Sequence, residues 1–332
     1  MRAIVSAIFS LECDQTIARG LLQLSFAAGV QIIGVRFKGL IIFLEEPDMK
    51  KILILLSALV LFSAGSSLLA DADSERLAAV LAAQPEEVQA RYQYRHPQET
   101  LEFFGIAPGM TVVEALPGGG WYTKILLPYL GQDGELIGAD YSQEMFPLFG
   151  FLSAEDLKKK ETWVGDWVAE ASEWKGEDGA RISAFVFGAM PDEMKGQADA
   201  VLFIRALHNL ARFEGDGAFL TAALKNAYDV LKPGGIVAVV QHQARDNMSD
   251  EWASGRNGYL KSDFLVSRME ATGFEFVAES AFNNNEKDQP TDADIVWRLP
   301  PSLATSRENP QLRAEMVALG ESNRMTLKFR KP

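Results

Sequence analysis

Apolar positions fall into two repeating patterns along the second half of the chain. Short runs such as Met110 to Leu116, Glu135 to Asp140, Arg181 to Phe187 and Ala198 to Arg205 are continuous or nearly so, as in strands covered on both faces. Between them, apolar residues return at helical spacing: Ile125, Leu126, Tyr129 and Leu130, and later Phe219, Leu220, Leu224, Ala227 and Leu231. Lys232-Pro-Gly-Gly235 is expected to stop the second of these helices, and Ile236 to Gln241 to form a fifth strand. A helix near Leu260 to Thr272 ends at Gly273, and Phe274 to Ser280 reads as a sixth strand. Residues 283–309 form a long loop rich in Asn, Asp and Pro; a short helix and the alternating strand Arg324 to Lys331 close the chain. Ahead of this alternation, residues 73–107 read as helices, with breaks at Gln84-Pro85 and before Pro97. Strands alternating with helices predict an open parallel sheet with helices on both faces, whose ligands sit at the carboxyl ends of the strands near the reversal of strand order.

The first 72 residues follow neither pattern. From Met49, Lys50 and Lys51 precede a short apolar core, Ile52 to Phe62, and Ala70-Asp71-Ala72 offers an A-x-A-like cleavage site after Ala70 or Ala72. This is the layout of a secretory signal peptide, too short to favour a membrane span. Residues 1–48 then read as an over-called upstream segment with no folded role, and Met49 as the start. The expected organisation is 1–48 upstream, 49–72 signal peptide, 73–107 N-terminal helices and 108–332 the catalytic-type domain. Export implies a periplasmic or secreted protein without stable membrane insertion after cleavage.

Composition narrows the chemistry. The only cysteine, Cys13, precedes the signal segment, so disulfide and thiolate chemistry are excluded from the mature part. The formal net charge of −13 belongs entirely to residues 73–332, because residues 1–72 hold six basic and six acidic side chains. Such a surface repels nucleic acid outside any local basic patch, which favours a small-molecule substrate. No metal-ligand cluster is read from the sequence.

The stretch Val112-Val-Glu-Ala-Leu-Pro-Gly-Gly-Gly120 places glycines between the first strand of the domain and its first helix. A phosphate loop would need glycine, then lysine and a hydroxyl residue, and a dinucleotide turn a third glycine where Thr123 stands. The third class that uses such a turn is S-adenosylmethionine. Together with GELIGADYS (134–142), ADAVLFIRALHNL (198–210) and VLKPGGIVAVV (230–240), and with GFEFVAES (273–280) and RMTLKFRKP (324–332), the stretch resembles the class I S-adenosylmethionine-dependent methyltransferases from about Thr100 to Pro332. More narrowly it is similar to exported bacterial proteins of that class. The resemblance implies a Rossmann-like, doubly wound seven-stranded sheet with an antiparallel last strand.

It also implies site roles. Glu114 matches the acidic residue near the methionine moiety, Gly118 and Gly120 the glycines of close backbone approach, and Asp140 the carboxylate that accepts from both ribose hydroxyls. Leu116-Pro117 stands where the family starts its glycines, and Ala189 where an acidic residue often faces the adenine amine. His208, after the fourth strand, is the candidate base or substrate contact, with Arg205 one turn earlier; His242 is a weaker candidate. Trp121 or Tyr122 are candidates to face the sulfonium, and Tyr94, Arg95 and His96 to fold over the cofactor mouth. Trp163, Trp167 and Trp174 share a helical face, read as a stripe buried against the domain. Two functions stay open: an exported methyltransferase acting on a small molecule or other envelope component, and a non-catalytic binding protein on the same scaffold.

Overall fold

The structure is a computed structural model that describes residues 21–27, 30–37, 40–44 and 71–332. Two units are resolved, divided between Ala72 and Asp73. In the first, β1 (Leu21–Ala27), β2 (Val30–Phe37) and β3 (Leu40–Leu44) pair antiparallel in that order. These three strands lie in the segment read as upstream, and their β-branched and aromatic residues suit strands. Cys13 and the signal-type stretch from Met49 to Ala70 lie outside the described residues, while Asp71 and Ala72 begin a helix.

The second unit carries the alternating pattern. Helix α1 (71–82) is followed by two short helices, α2 (Glu86–Gln89) and α3 (Tyr92–Arg95), then by α4 (Pro97–Phe104). Strands β4 (Thr111–Ala115), β5 (Glu135–Asp140), β6 (Arg181–Val186), β7 (Ala198–Ile204) and β8 (Leu231–His242) run parallel. Strand β10 (Arg324–Arg330) pairs antiparallel with both β8 and β9 (Glu275–Ser280). The order β6-β5-β4-β7-β8-β10-β9 is a single seven-stranded sheet, the Rossmann-like arrangement with an antiparallel last strand that the resemblance implies. Strand order reverses between β4 and β7, which puts the predicted ligand edge at their carboxyl ends.

Successive strand residues face opposite layers, as a period of two requires. Val112, Leu136, Ala200 and Ala238 pack with α1, α5 (Thr123–Leu130) and α7 (Trp163–Trp174). Val113, Ile137, Val201 and Val239 pack on the other face with α8 (Leu207–Arg212), α10 (Phe219–Val230) and α11 (Ser262–Thr272). Helix α6 (Ala154–Glu161) has no buried residue, and α9 (Glu214–Gly217) is a single turn. The tryptophan face of α7 is buried as a stripe in part: Trp167 is 2% exposed against Gly138 of β5, and Trp163 stacks on it with ring centres 5.8 Å apart.

One sequence expectation is corrected. Lys232-Pro-Gly-Gly235 does not lie outside the sheet; β8 already begins at Leu231 and pairs with Ala198 before the register shifts to Ala200 and Ile236. The stretch is a bulge in the ladder, with Gly234 at a φ of 81° taking the left-handed geometry. The loop at 283–309 is anchored by its own small core. Arg298 donates to Asp288 at 2.7 Å and to the Tyr259 hydroxyl at 2.8 Å, over Trp252, Tyr259 and Val296. Helix α12 (Pro310–Leu319) follows it. Among the described residues, no helix is long and apolar enough to cross a membrane.

Candidate active site

Two residues at the reversal of strand order sit in the left-handed backbone region without being glycine: Leu116 after β4, with φ 54°, and Arg205 after β7, with φ 59°. Each costs about 1–2 kcal/mol relative to an ordinary conformation, so the surroundings must impose it. The ladder does so. The Leu116 N–H donates to the Ala139 carbonyl at 2.7 Å, and the Arg205 N–H to the Val240 carbonyl at 2.6 Å. Sheet hydrogen bonding thus runs one residue past each strand and then turns the chain sharply outward. Leu116 therefore makes the turn for which a glycine is otherwise suited, at the cost of strain.

The glycines that follow divide into two kinds. A side chain added at Gly119 would meet open space and one at Gly118 only ordinary contact with the Leu116 carbonyl at 3.9 Å, and both are exposed on the loop. One added at Gly120 would come within 2.3 Å of the Trp174 ring, so Gly120 is a packing glycine that lets α7 close on the loop. Behind the loop, Glu114 is 4% exposed and accepts a hydrogen bond from the Thr123 hydroxyl at 2.6 Å. Burial pushes its carboxyl up to about 7, against the opposing effect of Thr123.

Asp140 ends the neighbouring strand β5 and is 6% exposed. One carboxylate oxygen accepts the Tyr141 N–H at 2.8 Å, and the other the Lys160 ammonium at 3.2 Å. Burial raises its pKa, an effect partly offset by Lys160 and the Tyr141 amide. Ala189, past β6, is exposed.

A cavity of about 500 Å³ opens at the carboxyl ends of β4, β7 and β8. Among the sequence candidates it brings together Leu116, Pro117, Gly118, Arg205, His208, His242, Arg95 and Trp121. It does not reach Glu114, Gly120, Asp140 or Ala189, which lie behind the loop or toward β5 and β6. Tyr94 and His96 line a separate cavity of about 260 Å³ with Asn283 to Asn285. Tyr122 is 4% exposed in the core, edge-on to Trp121, and the Trp121 ring is already covered by the Arg95 guanidinium at 4.4 Å.

His208 is 5% exposed, with Nδ1 3.4 Å from the Gln241 amide and its ring 5.5 Å from that of His242. Burial lowers its pKa to about 4, with Gln241 acting the other way and Arg205 adding to the depression. His242 is held well below the usual imidazole range by burial and then by His208, and its Nδ1 pairs with the Ser322 hydroxyl at 2.5 Å. Both rings are neutral at pH 7.

Sequence reading missed the other wall of this cavity. Arg91, Glu321 and Trp297 line it, from α2–α3, the segment before β10 and the 283–309 loop. Arg91 and Arg95 are four residues apart on adjoining helical turns, the one local signal that they point the same way. Glu321 and Trp297 carry no such signal, since only the closed sheet brings them near β7. Among the described residues, no cluster of three or more His, Cys, Asp or Glu could hold a metal ion.

No family model matches the chain. No curated protein matches it either. Solved structures of similar fold include an S-adenosylmethionine-dependent methyltransferase from Aquifex aeolicus, 12% identical, with 75% of this chain and 99% of that one covered and a TM-score of 0.45. The [4+2]-cyclase SpnF is 18% identical, over 72% of this chain and 80% of that one, with a TM-score of 0.46. A complex of the Haloferax volcanii Trm112 methyltransferase activator with a methyltransferase is 16% identical over 77% and 97%, with a TM-score of 0.44. At these scores the likeness adds nothing to the strand order, on which the fold assignment rests.

Proposed function

We propose that the chain is an exported S-adenosylmethionine-dependent methyltransferase acting on a small molecule or other envelope component. One observation carries this reading: at the reversal of strand order, a strained turn presents the open backbone of Gly118 and Gly119 to a cavity, with a carboxylate at the tip of the adjoining strand. Such a loop suits a ligand that lies flat against main chain, and one with vicinal hydroxyls would extend past the cavity to Asp140 and displace Lys160 from it. Asp140 would accept from the ribose hydroxyls, Gly118 and Gly119 would let the cofactor approach, and Ala189 would offer backbone and apolar contact to the base. Glu114 supports the loop through Thr123. The signal-type stretch from Met49 supports the export part of the reading.

Bound S-adenosylmethionine supplies a methyl group already activated on a sulfonium, so the chain's own work is placement and exclusion of water. A neutral His208 with a pKa of about 4 is a weak base, which makes it an orienting hydrogen-bond partner for the acceptor. Two features favour the second reading, a non-catalytic binding protein: Leu116 replaces a glycine, and Lys160 already engages the Asp140 oxygen that the ribose would use.

Transfer of a labelled methyl group separates the readings. Incubated with methyl-labelled S-adenosylmethionine and small molecules extracted from the cell envelope, an enzyme labels an acceptor; binding of the cofactor with no labelled product supports the binding protein. Mass measurement of the chain recovered from the periplasm tests export, with Asp71 or Asp73 as the expected first residue.

A further inference from the structure

Four arginines converge on one carboxylate beside this cavity. Glu321 lies 2.5 Å from Arg91, 3.2 Å from Arg95, 3.2 Å from Arg324 and 3.6 Å from Arg205. Arg95, Arg324 and Glu321 are each no more than 3% exposed. Set against the single glutamate, the cluster leaves three positive charges uncompensated in an otherwise strongly acidic protein. Asp288, whose charge also reaches Arg324, is held by Arg298 at 2.7 Å.

Buried charge without a counter-charge is costly, and buried donors without acceptors add to the cost. Both conditions hold here. Arg95 Nη1, Arg324 Nε and the Trp121 indole nitrogen are buried, with no hydrogen-bond partner among the described residues. Arg205 makes no side-chain hydrogen bond among the described residues, only its 3.6 Å ion pair. Burial first, and then the charge of Arg205, lowers the Arg95 pKa to about 9, the direction expected where a counter-ion is missing. Arg91, Arg95, Arg205 and Trp121 all line the same cavity, so one anion entering it meets all four.

We propose that Arg91, Arg95 and Arg205 form an oxyanion site that holds a carboxylate or phosphate group of the methyl acceptor. The proposal rests on the methyltransferase reading, and the sheet supplies the reason to assign the anion to the acceptor. Asp140 on β5 and the glycine loop after β4 lie on one side of the reversal, and would hold the cofactor. Arg205 after β7 and His242 at the end of β8 lie on the other. Trp297, edge-on to His208 at 5.8 Å, and Pro300 add apolar surface to the same cavity. An acceptor with an acidic group at one end and an apolar body fits that division. Guanidinium groups suit the acidic end because they donate paired hydrogen bonds to planar or tetrahedral oxyanions.

The test is calorimetric titration of the full chain with inorganic phosphate in a chloride buffer of fixed ionic strength, with and without saturating S-adenosylhomocysteine. The proposal expects phosphate to bind, to keep its affinity within about threefold when S-adenosylhomocysteine is present, and to lose at least about tenfold in a folded Arg205→Gln variant. Mutually exclusive binding would assign the cluster to the cofactor's own carboxylate and overturn the proposal while leaving the methyltransferase reading intact. Absence of phosphate binding at concentrations on the order of tens of millimolar, with S-adenosylhomocysteine still bound, would make the cluster a purely structural network and overturn it likewise. Phosphate binding without any S-adenosylhomocysteine binding would remove the methyltransferase reading and with it the assignment to an acceptor. The competition uses the natural protein, so it decides even where the Arg205 variant fails to fold.

Discussion

Glu114 and Gly120 of the motif face the interior, whereas Gly118 and Gly119 line the cavity. The Glu114 carboxyl has a folded pKa of about 7, raised by burial from an ordinary value near 4.5. The folded chain therefore holds this proton more tightly than the unfolded chain, so the group opposes folding increasingly as pH rises from about 4.5 to about 7. Glu114→Gln, which keeps an acceptor for the Thr123 hydroxyl, is expected to be more stable than the natural chain at pH 8 by on the order of 2 kcal/mol. The difference should vanish near pH 4, as denaturant melts at the two pH values would show; equal differences at both would put the charge of Glu114 elsewhere. Gly120→Ala should lose about 2–4 kcal/mol, because the new methyl overlaps Trp174 and the φ of 74° disfavours any side chain. Gly118→Ala, strained by its φ of 54° but free of overlap, should lose only about 1 kcal/mol and weaken cofactor binding more than stability. The glycines were legible in the sequence as a set; which of them faces the cavity and which faces Trp174 was not, since that depends on how α7 folds back.

At the scale of elements, the strands were readable because each is a short apolar run between turn residues, and β5 is reproduced from Glu135 to Asp140. The bulge at 232–235 was not, because Lys-Pro-Gly-Gly has the composition of a helix stop, and pairing with β7 overrides that local preference. The helix expected between Pro85 and Pro97 divides into α2 and α3 near Arg91, and Arg91 and Arg95 both reach Glu321. Contact between α7 and β5 depends on Gly138, where an added side chain would come within 2.6 Å of Trp167. Trp167→Ala should therefore cost about 3–5 kcal/mol, read as a fall in the denaturant midpoint, whereas Trp163→Ala, on the more exposed side of the stack, should cost less. Similar losses from both would mean that the tryptophan stripe, and not the Gly138 contact, holds α7.

For the whole molecule, Glu321 joins the N-terminal helices to the end of β7 and to β10. Its pKa is lowered although burial acts in the opposite direction, because Arg324, Arg95, Arg205 and Arg91 surround it. Glu321→Ala leaves those guanidiniums facing one another and should destabilise the fold by about 3–5 kcal/mol; a loss below about 1 kcal/mol would show that they reach other counter-charges. This tie was invisible in the sequence because its partners are up to 230 residues apart. A seven-stranded sheet with an antiparallel last strand, by contrast, followed from the alternating pattern and the resemblance together, and its strand order locates the candidate site at the reversal between β4 and β7. The account stands or falls on whether that edge binds S-adenosylmethionine through Asp140. Calorimetric titration of the full chain with S-adenosylmethionine should give one site, weakened at least about tenfold by Asp140→Ala, which removes a charged acceptor of two hydrogen bonds. No binding at millimolar cofactor, or an affinity unchanged in Asp140→Ala, would contradict it.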